Sequence, residues 1–183
     1  FITESTTNAL NSITGSGNLI KKVYVPKYLF PMSKVFSSVV NLFFAFIAMM
    51  LVMVVTRVKF QVTMFLVPIV LIYIILFSLG VGMILATLQV FFRDTAHLYS
   101  VVTLAWMYLT PIFYPESMLP KRLGLLLSMN PMVHYIRFMR KIVLYNTVPT
   151  VTENLTCCAI SLVFLSIGLI AFYRKQDKFI LYI

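Results

Sequence analysis

Long apolar runs without charge, separated by short polar segments, dominate the pattern along this chain. The longest run, Phe60–Phe92, contains 33 residues and no charged side chain. A helix rises about 1.5 Å per residue, so roughly 20 apolar residues are needed to cross a bilayer core about 30 Å thick. The pattern predicts an all-α polytopic membrane protein with four crossings: Val35–Val55, about Thr63–Leu88, Thr95–Pro115 and Asn154–Tyr173.

The segment between the third and fourth crossings, Glu116–Glu153, is more than a plain loop. It contains Leu123–Ile136, 14 residues without a formal charge that are broken by Asn130-Pro131. This run is too short to cross but suits a re-entrant or interfacial helical hairpin. Helical spacing then predicts an apolar face of Met132, Ile136, Met139 and Val143, with His134, Arg137 and Lys141 on another face.

The segment before the first crossing, residues 1–34, is punctuated by Gly15-Ser16-Gly17, Pro26 and Pro31. Between Gly17 and Pro26 the pattern predicts a short helix capped by Asn18, with an apolar patch beside two lysines. Two interpretations stay open from periodicity alone. The helix either rests on the inner leaflet or docks against another protein.

Composition excludes a soluble globular domain. The chain is 61% hydrophobic and 11% charged, with a mean hydropathy of +0.96, whereas soluble domains carry about a quarter charged residues. One membrane domain over residues 1–183 is the economical interpretation. Cys157 and Cys158 are neighbours without metal-ligand company, and we interpret them as small packing residues.

Charge predicts the partner surface and the topology. The net charge of +10 does not indicate nucleic acid, because the 15 Lys and Arg residues cluster at the ends of apolar runs, where they meet lipid headgroups. Basic residues flank both ends of the spanning region, so we expect both ends to be cytoplasmic. These flanking residues are Lys21, Lys22, Lys27, Lys34, Arg174, Lys175 and Lys178. Because the chain begins at Phe1 and lacks a signal peptide, we expect a missing upstream part.

Groups for catalysis or ion coupling are scarce. The acidic residues and histidines are Glu4, Asp94, Glu116, Glu153, Asp177, His97 and His134. None is expected in the middle of a predicted span, which argues against an ion-coupled carrier and against an intramembrane enzyme. Gly15-Ser16-Gly17 lacks the following Lys-Ser or Lys-Thr of a phosphate loop. We therefore expect no catalytic residue, no metal and no bound cofactor, and a large solute would need a separate ATPase to drive it.

Several short sequence segments, in this order along the chain, resemble those of a known protein family. They are Asn18–Lys27 with Phe30-Pro31, Val90–Asp94, Leu109–Pro115, Asn130–Met132 and Arg174–Phe179. Over about 170 of the 183 residues they resemble ABC type-2 permeases that export cell-surface polysaccharides and polyol phosphates such as O-antigen, capsule and teichoic acid. The resemblance implies a six-span subunit that dimerises and pairs with two ATPase subunits, which bind the ATP and Mg. This chain would lack the first span and most of the second, with Phe1 to about Ile13 as the inner end of that second span. About 80 residues would precede it.

The resemblance also implies roles for particular residues. The ATPase-coupling set comprises Asn18, Leu19, Ile20, Lys21, Lys22, Val23 and Pro26, with Arg93 and Asp94 as a second contact. Pro26 and Pro31 would stiffen the link between this short helix and the next span, because proline fixes its backbone angle φ. For the lysines the alternative partner is anionic lipid, and for Arg93 and Asp94 the alternative is a helix end with a local ion pair.

A lipid-linked anionic polymer would need aromatic faces and cations along its path. The candidates are Tyr99, Trp106, Tyr108, Phe113 and Tyr114 for the rings and Arg137, Arg140 and Lys141 for the cations. The alternatives are helix packing or interfacial anchoring for the rings and snorkelling to lipid for the cations. The sequence thus predicts an export permease for lipid-linked polysaccharide or teichoic-acid-like polymer in a bacterial cytoplasmic membrane. A drug or lipid exporter on the same scaffold, and a glycolipid-modifying enzyme, are the alternatives.

Overall fold

The computed structural model describes residues 1–23, 25–57, 61–111 and 124–182, with backbone alone for 124–126. In these ranges all regular elements are helical. They are α1 (Ile2–Leu10), α2 (Ser12–Gly15), α3 (Gly17–Lys22), α4 (Leu29–Val55), α5 (Val67–Phe91), α6 (Thr95–Leu109), α7 (Gly124–Met129), α8 (Pro131–Val143), α9 (Val151–Lys175) and α10 (Phe179–Tyr182), with 3₁₀ turns at Val62–Leu66 and Gln176–Lys178.

Three helical stretches are long and apolar enough to cross a membrane: Leu29–Val55, Val62–Phe91 and Val151–Tyr182. They confirm the all-helical, membrane-spanning class. The remaining predicted crossing begins at Thr95 as expected, but α6 has 15 residues, a rise of about 22 Å. The last four residues of that predicted crossing lie outside the described residues, so the count of four crossings stays a prediction.

Two boundaries near the start of the chain differ from the prediction. The helix α4 begins at Leu29 rather than Val35, so Pro31 lies in its first turn and not in the preceding link. Proline is tolerated there because first-turn N–H groups have no intrahelical acceptor. The prediction that Asn18 caps the short helix is wrong. The carbonyl of Ser16 already accepts from the N–H groups of Leu19 and Ile20 at 3.0 Å each, which makes α3 start at Gly17.

The centre of the bundle is α5. In the most apolar 18-residue stretch of Val62–Phe91, 56% of the residues are buried by the rest of the chain. The corresponding share is 11% in Leu29–Val55 and 22% in Val151–Tyr182. The helix packs most extensively on α9, then on α1 and α4. Glycines allow the α5–α9 backbones to meet, since a Cβ built at Gly80 would lie 2.4 Å from the carbonyl carbon of Phe164. Small residues commonly permit such close crossings in membranes.

The first helix, α1, runs antiparallel to α4. Asn8 donates to the hydroxyl of Ser38 at 3.4 Å, and Asn41 Nδ2 donates to Glu4 Oε1 at 2.6 Å. Asn41 lies close to the midpoint of α4, so the carboxylate of Glu4 is beside the middle of a candidate span. Glu4 itself belongs to α1 and lies outside the three candidate spans, but its side chain contacts one of them.

The segment after α6 contains the predicted pair of helices around Asn130-Pro131, α7 and α8. The face that α8 buries differs from the expected one and comprises Val133, Tyr135, Phe138 and Ile142. Two aromatic contacts decide this orientation: Tyr135 packs edge-to-face on Phe77 at 5.8 Å and Phe138 on Tyr73 at 6.5 Å. Rings bury more apolar area than methionine at the same positions. How deeply this hairpin enters a bilayer stays a prediction.

Candidate functional site

The short helix α3 is held by one buried side chain. Ile20 is 8% exposed and belongs to an apolar cluster with residues of α2, α5, α9 and α10. The members of this cluster, here called the inner cluster, are Ile13, Ile20, Met83, Ala86, Val90, Phe172 and Phe179. The opposite side of α3 is open, with Leu19 and Val23 each 51% exposed and both lysines exposed. The rod therefore presents an apolar and cationic surface while remaining anchored to the bundle.

The second predicted contact, Arg93-Asp94, forms the corner between α5 and α6 and is exposed. Its neighbour Val90 belongs to the inner cluster, so this corner and α3 lie at the same end of the bundle. In the described part of the chain neither charged side chain forms an ion pair, and the carbonyl of Arg93 accepts from Gln89 Nε2 at 3.1 Å. The local ion pair considered for this corner is therefore not formed in these residues.

A cavity of about 600 Å³ lies between α1, α6 and α8, with Ile74 of α5. This volume falls in the usual range for small-ligand sites. Residues of α6 supply one wall and the predicted apolar face of α8 supplies another. The lining residues are Phe1, Ile2, Thr3, Ile74, Tyr99, Ser100, Thr103, Leu104, Trp106, Met107, Thr110, Met132, Tyr135, Ile136 and Met139. Among the described residues, this lining carries no charged side chain and is apolar with scattered hydroxyl groups.

The predicted aromatic set divides in two. Tyr99 and Trp106 line the cavity, whereas Tyr108 is 72% exposed and lies outside the lining. Phe113 and Tyr114 are outside the described residues. The hydroxyl of Tyr99 lies 2.6 Å from Thr6 Oγ1, a bond that ties α6 to α1. The rings of this set therefore do not share one surface.

The buried side chain of Asn130 joins two walls of the cavity. The sequence predicted a break between two helices at this residue but no role for its side chain. Its Oδ1 accepts from Trp106 Nε1 at 2.7 Å and from the N–H of Met132 at 3.0 Å, and its Nδ2 donates to Thr110 Oγ1 at 3.1 Å. It is 5% exposed. One amide thus caps α8 and fixes the end of α6. Asparagine before proline is a known helix-start signal that could have indicated the cap.

A second buried polar contact attaches α8 to the spans. The hydroxyl of Tyr135 lies 2.6 Å from Ser161 Oγ, which lies 2.9 Å from the carbonyl of Tyr73 and 2.8 Å from that of Cys157. Because carbonyls only accept, Ser161 donates to them and accepts from Tyr135. Burial raises the pKa of the Tyr135 phenol to about 12, so it remains a donor at neutral pH. The hairpin is therefore fixed to both α5 and α9.

The cations predicted along the path have protein partners. Arg140 Nη2 donates to the carbonyl of Pro111 at 2.7 Å, and Lys141 Nζ lies 2.6 Å from Glu153 Oε1. Glu153 also accepts from the N–H of Thr150 at 3.0 Å, in a capping box at the start of α9. Arg137 is half-buried on α8. Arg140 and Lys141 therefore fasten the hairpin to neighbouring segments, and none of the three cations lines the cavity.

The described lining of the cavity offers apolar side chains, aromatic rings and hydroxyl groups as contacts. In the described ranges no three His, Cys, Asp or Glu side chains come together as a metal site would require. Three apolar helices long enough to span a bilayer, beside a cavity whose described lining is apolar with hydroxyl groups, indicate an integral membrane protein. Residues 1–144 match the family described as ABC-2 type transporter. The chain belongs to this family, whose members are transport subunits.

Curated relatives agree with this family. An O-antigen export system permease protein RfbA of Klebsiella pneumoniae is 29% identical over 148 residues, which cover 78% of this chain and 56% of that protein. A protein of the same description in Myxococcus xanthus is 28% identical over 174 residues, covering 92% of this chain and 66% of that protein. The chain therefore spans between about half and two-thirds of the length of these relatives. They support the recognised class of polysaccharide-export permeases.

Proposed function

We propose that this chain is part of the permease of an ABC exporter that moves a lipid-linked polysaccharide, or a polymer like teichoic acid, out across a bacterial cytoplasmic membrane. The energy comes from ATP and Mg bound by a separate ATPase subunit, and two permease copies form the pathway. Both ends of this chain lie on the cytoplasmic side. The relatives' names, O-antigen export permeases, support the substrate class.

The observation that best supports the proposal is the attachment of α3 to the helix bundle through one buried side chain. It exposes Leu19, Lys22 and Val23 while Ile20 packs into the inner cluster with residues of α5 and α9. A partner that displaces this rod therefore displaces the central helix pair. In the terms of a two-state exporter, the ATPase binds the two permease conformations with different affinity, and that difference drives gating.

The cavity beside α6 is proposed as part of the substrate path. Ring faces of Tyr99 and Trp106 suit the C–H faces of sugars, while the hydroxyls of Ser100 and Thr103 suit their rims. Arg137, Arg140 and Lys141 lie on the hairpin outside the lining and act at the headgroup level, where the phosphates of a lipid anchor would lie. Phe113 and Tyr114, which lie outside the described residues, are retained as proposed path residues on the basis of the sequence.

A second candidate is export of small hydrophobic drugs or lipids by the same scaffold. The methionines in the described lining of the cavity favour it, because Met107, Met132 and Met139 adapt to varied apolar shapes. The two candidates differ in what stimulates the ATPase.

The test uses the full-length permease reconstituted in proteoliposomes with the ATPase encoded beside it. Lipid-linked oligosaccharide should stimulate ATP hydrolysis, while the free lipid carrier and a hydrophobic drug should not. Stimulation by the drug or the bare lipid alone would select the second candidate. Failure of the two proteins to associate would remove the proposal altogether.

The cavity is tested by filling it. Leu104 lines the cavity, whereas Val102 lies two residues away on the same helix and outside the lining. Leu104→Trp should therefore reduce export of the polymer strongly, while Val102→Trp, which adds even more volume at a position outside the lining, should leave it unchanged. Equal export by both variants would exclude this cavity from the path.

A further inference from the structure

The segment that follows α9 turns back onto the bundle instead of leaving it. After the 3₁₀ turn Gln176–Lys178, Phe179 is 0% exposed, although Ile180 and Leu181 next to it are 51% and 80% exposed. The ring of Phe179 packs edge-to-face against Phe172 at 5.2 Å and against Phe91 at 6.0 Å. The ring of Tyr182 also packs edge-to-face against Phe91, at 5.0 Å. Two aromatic side chains, of which only Phe179 is fully buried, therefore fix this segment against the ends of α5 and α9.

Phe179 belongs to the inner cluster, the same cluster that contains Ile20 of α3. The helix α3 has six residues, too few to be stable without packing. Ile20 is the buried side chain that anchors α3 to the bundle. The position of α3 therefore depends on the other side chains of the inner cluster. Phe179, which is 0% exposed, and Phe172 are the two largest side chains of that cluster.

A polar contact joins the same two regions independently. Lys27, in the link between α3 and α4, donates from Nζ to the carbonyl of Gln176 at 2.7 Å. Gln176 is the C-cap residue of α9, where the partial negative charge of the helix dipole favours an ammonium group. Lys27 and Gln176 also share the wall of a second cavity, of about 370 Å³, between this link and the end of α9. The link is thereby held to the end of α9 as well.

We propose that the segment Gln176–Tyr182 is a positioning element that holds α3 and its link rigidly against α5 and α9. A push on α3 then moves the spanning helices instead of tilting α3 alone. The inference rests on the proposed function, in which an ATPase contacts α3. It assigns to Phe179 and Lys27 a role in transmission, separate from contact with the ATPase itself.

The experiment measures polymer exported per ATP hydrolysed, together with association between the permease and its ATPase, in proteoliposomes of the full-length protein. Phe179→Ala should lower exported polymer per ATP by about fivefold or more, the lower end of ordinary coupling between sites. Association with the ATPase should remain as in the wild type. Phe179→Leu, which restores most of the apolar volume, should recover much of the ratio, and Leu181→Ala on the exposed side of the segment should not change it.

A second variant keeps the test decisive if Phe179→Ala does not insert. Lys27→Met should lower the same ratio and Lys27→Arg, which can still donate to the carbonyl, should retain it. An unchanged ratio in Phe179→Ala or, where that variant is not recovered, in Lys27→Met would overturn the inference while leaving the proposed function intact. A wild-type permease that exports without ATP hydrolysis would overturn both.

Discussion

The crossing of α5 and α9 gives the sharpest stability prediction. A Cβ added at Gly80 would lie 2.4 Å from both the carbonyl carbon and oxygen of Phe164 and 2.5 Å from the nitrogen of Leu165. A Cβ added at Gly168 would lie 2.3 Å from the carbonyl oxygen of Gly80. All of these neighbours are backbone atoms, so no side chain can rotate away. Gly80→Ala or Gly168→Ala must push the two helices apart.

The cost follows from the distances. Ordinary van der Waals contact at a Cβ begins near 3.4 Å, so the helices must separate by about 1 Å over their largest interface. Overpacking of this kind costs about 1–3 kcal/mol, and more where backbone has to move. For a chain of this size, that corresponds to a fall of about 2–12 °C in the unfolding midpoint. Together the two substitutions should cost less than their sum, because the first already opens the gap.

The assay is thermal unfolding of the full-length protein in detergent, with Gly15→Ala as the matched control. Gly15 is also helical, but a Cβ there has nothing within 4 Å, so alanine should be neutral or stabilise the helix by up to about 1 kcal/mol. If Gly80→Ala unfolds at the same temperature as Gly15→Ala, the close crossing of α5 and α9 is wrong.

Three further predictions concern polar contacts. Asn130→Ala should destabilise the protein by about 2–3 kcal/mol through a lost cap and a lost buried hydrogen bond, whereas Asn11→Ala, which loses one exposed bond at 3.4 Å, should cost almost nothing; equal unfolding midpoints would contradict this. The ion pair of Lys141 and Glu153 should contribute at most about 1 kcal/mol in a double-mutant cycle because the side chains are 34% and 36% exposed, and a coupling energy above about 2 kcal/mol would refute the exposed-pair argument. Glu4→Gln, which keeps an acceptor for its neighbouring asparagine, should leave export and its pH profile unchanged within about twofold, and a shifted profile would indicate ion coupling.

The spanning helices could be predicted because lipid leaves few alternatives. An uncharged run as long as Phe60–Phe92 has to satisfy its backbone internally, and helix is the form that one segment can adopt. The residues at which these helices begin and end were harder to predict. Pro31 reads as a link residue, but a first turn accepts proline as easily, and the helix gains packing by starting at Leu29.

Contacts between helices could not be predicted from one chain. The face that α8 buries depends on Phe77 and Tyr73 of α5, which lie more than 50 residues away in sequence. Helical periodicity identifies a methionine face, and that face instead lines the cavity. Likewise, Lys141 reads as a free cation until α9 brings Glu153 beside it.

The central claim is that an ATPase drives this permease through α3. The most direct measurement compares polymer exported per ATP hydrolysed for the wild type and for the double variant Lys21→Glu, Lys22→Glu, reconstituted with the ATPase. Arg174→Glu with Lys175→Glu, which makes the same change of charge at exposed positions near the end of α9, is the control. We expect normal insertion of both variants and a fall of about tenfold or more in exported polymer per ATP for the α3 variant alone. Export by the α3 variant at the wild-type ratio would contradict the account.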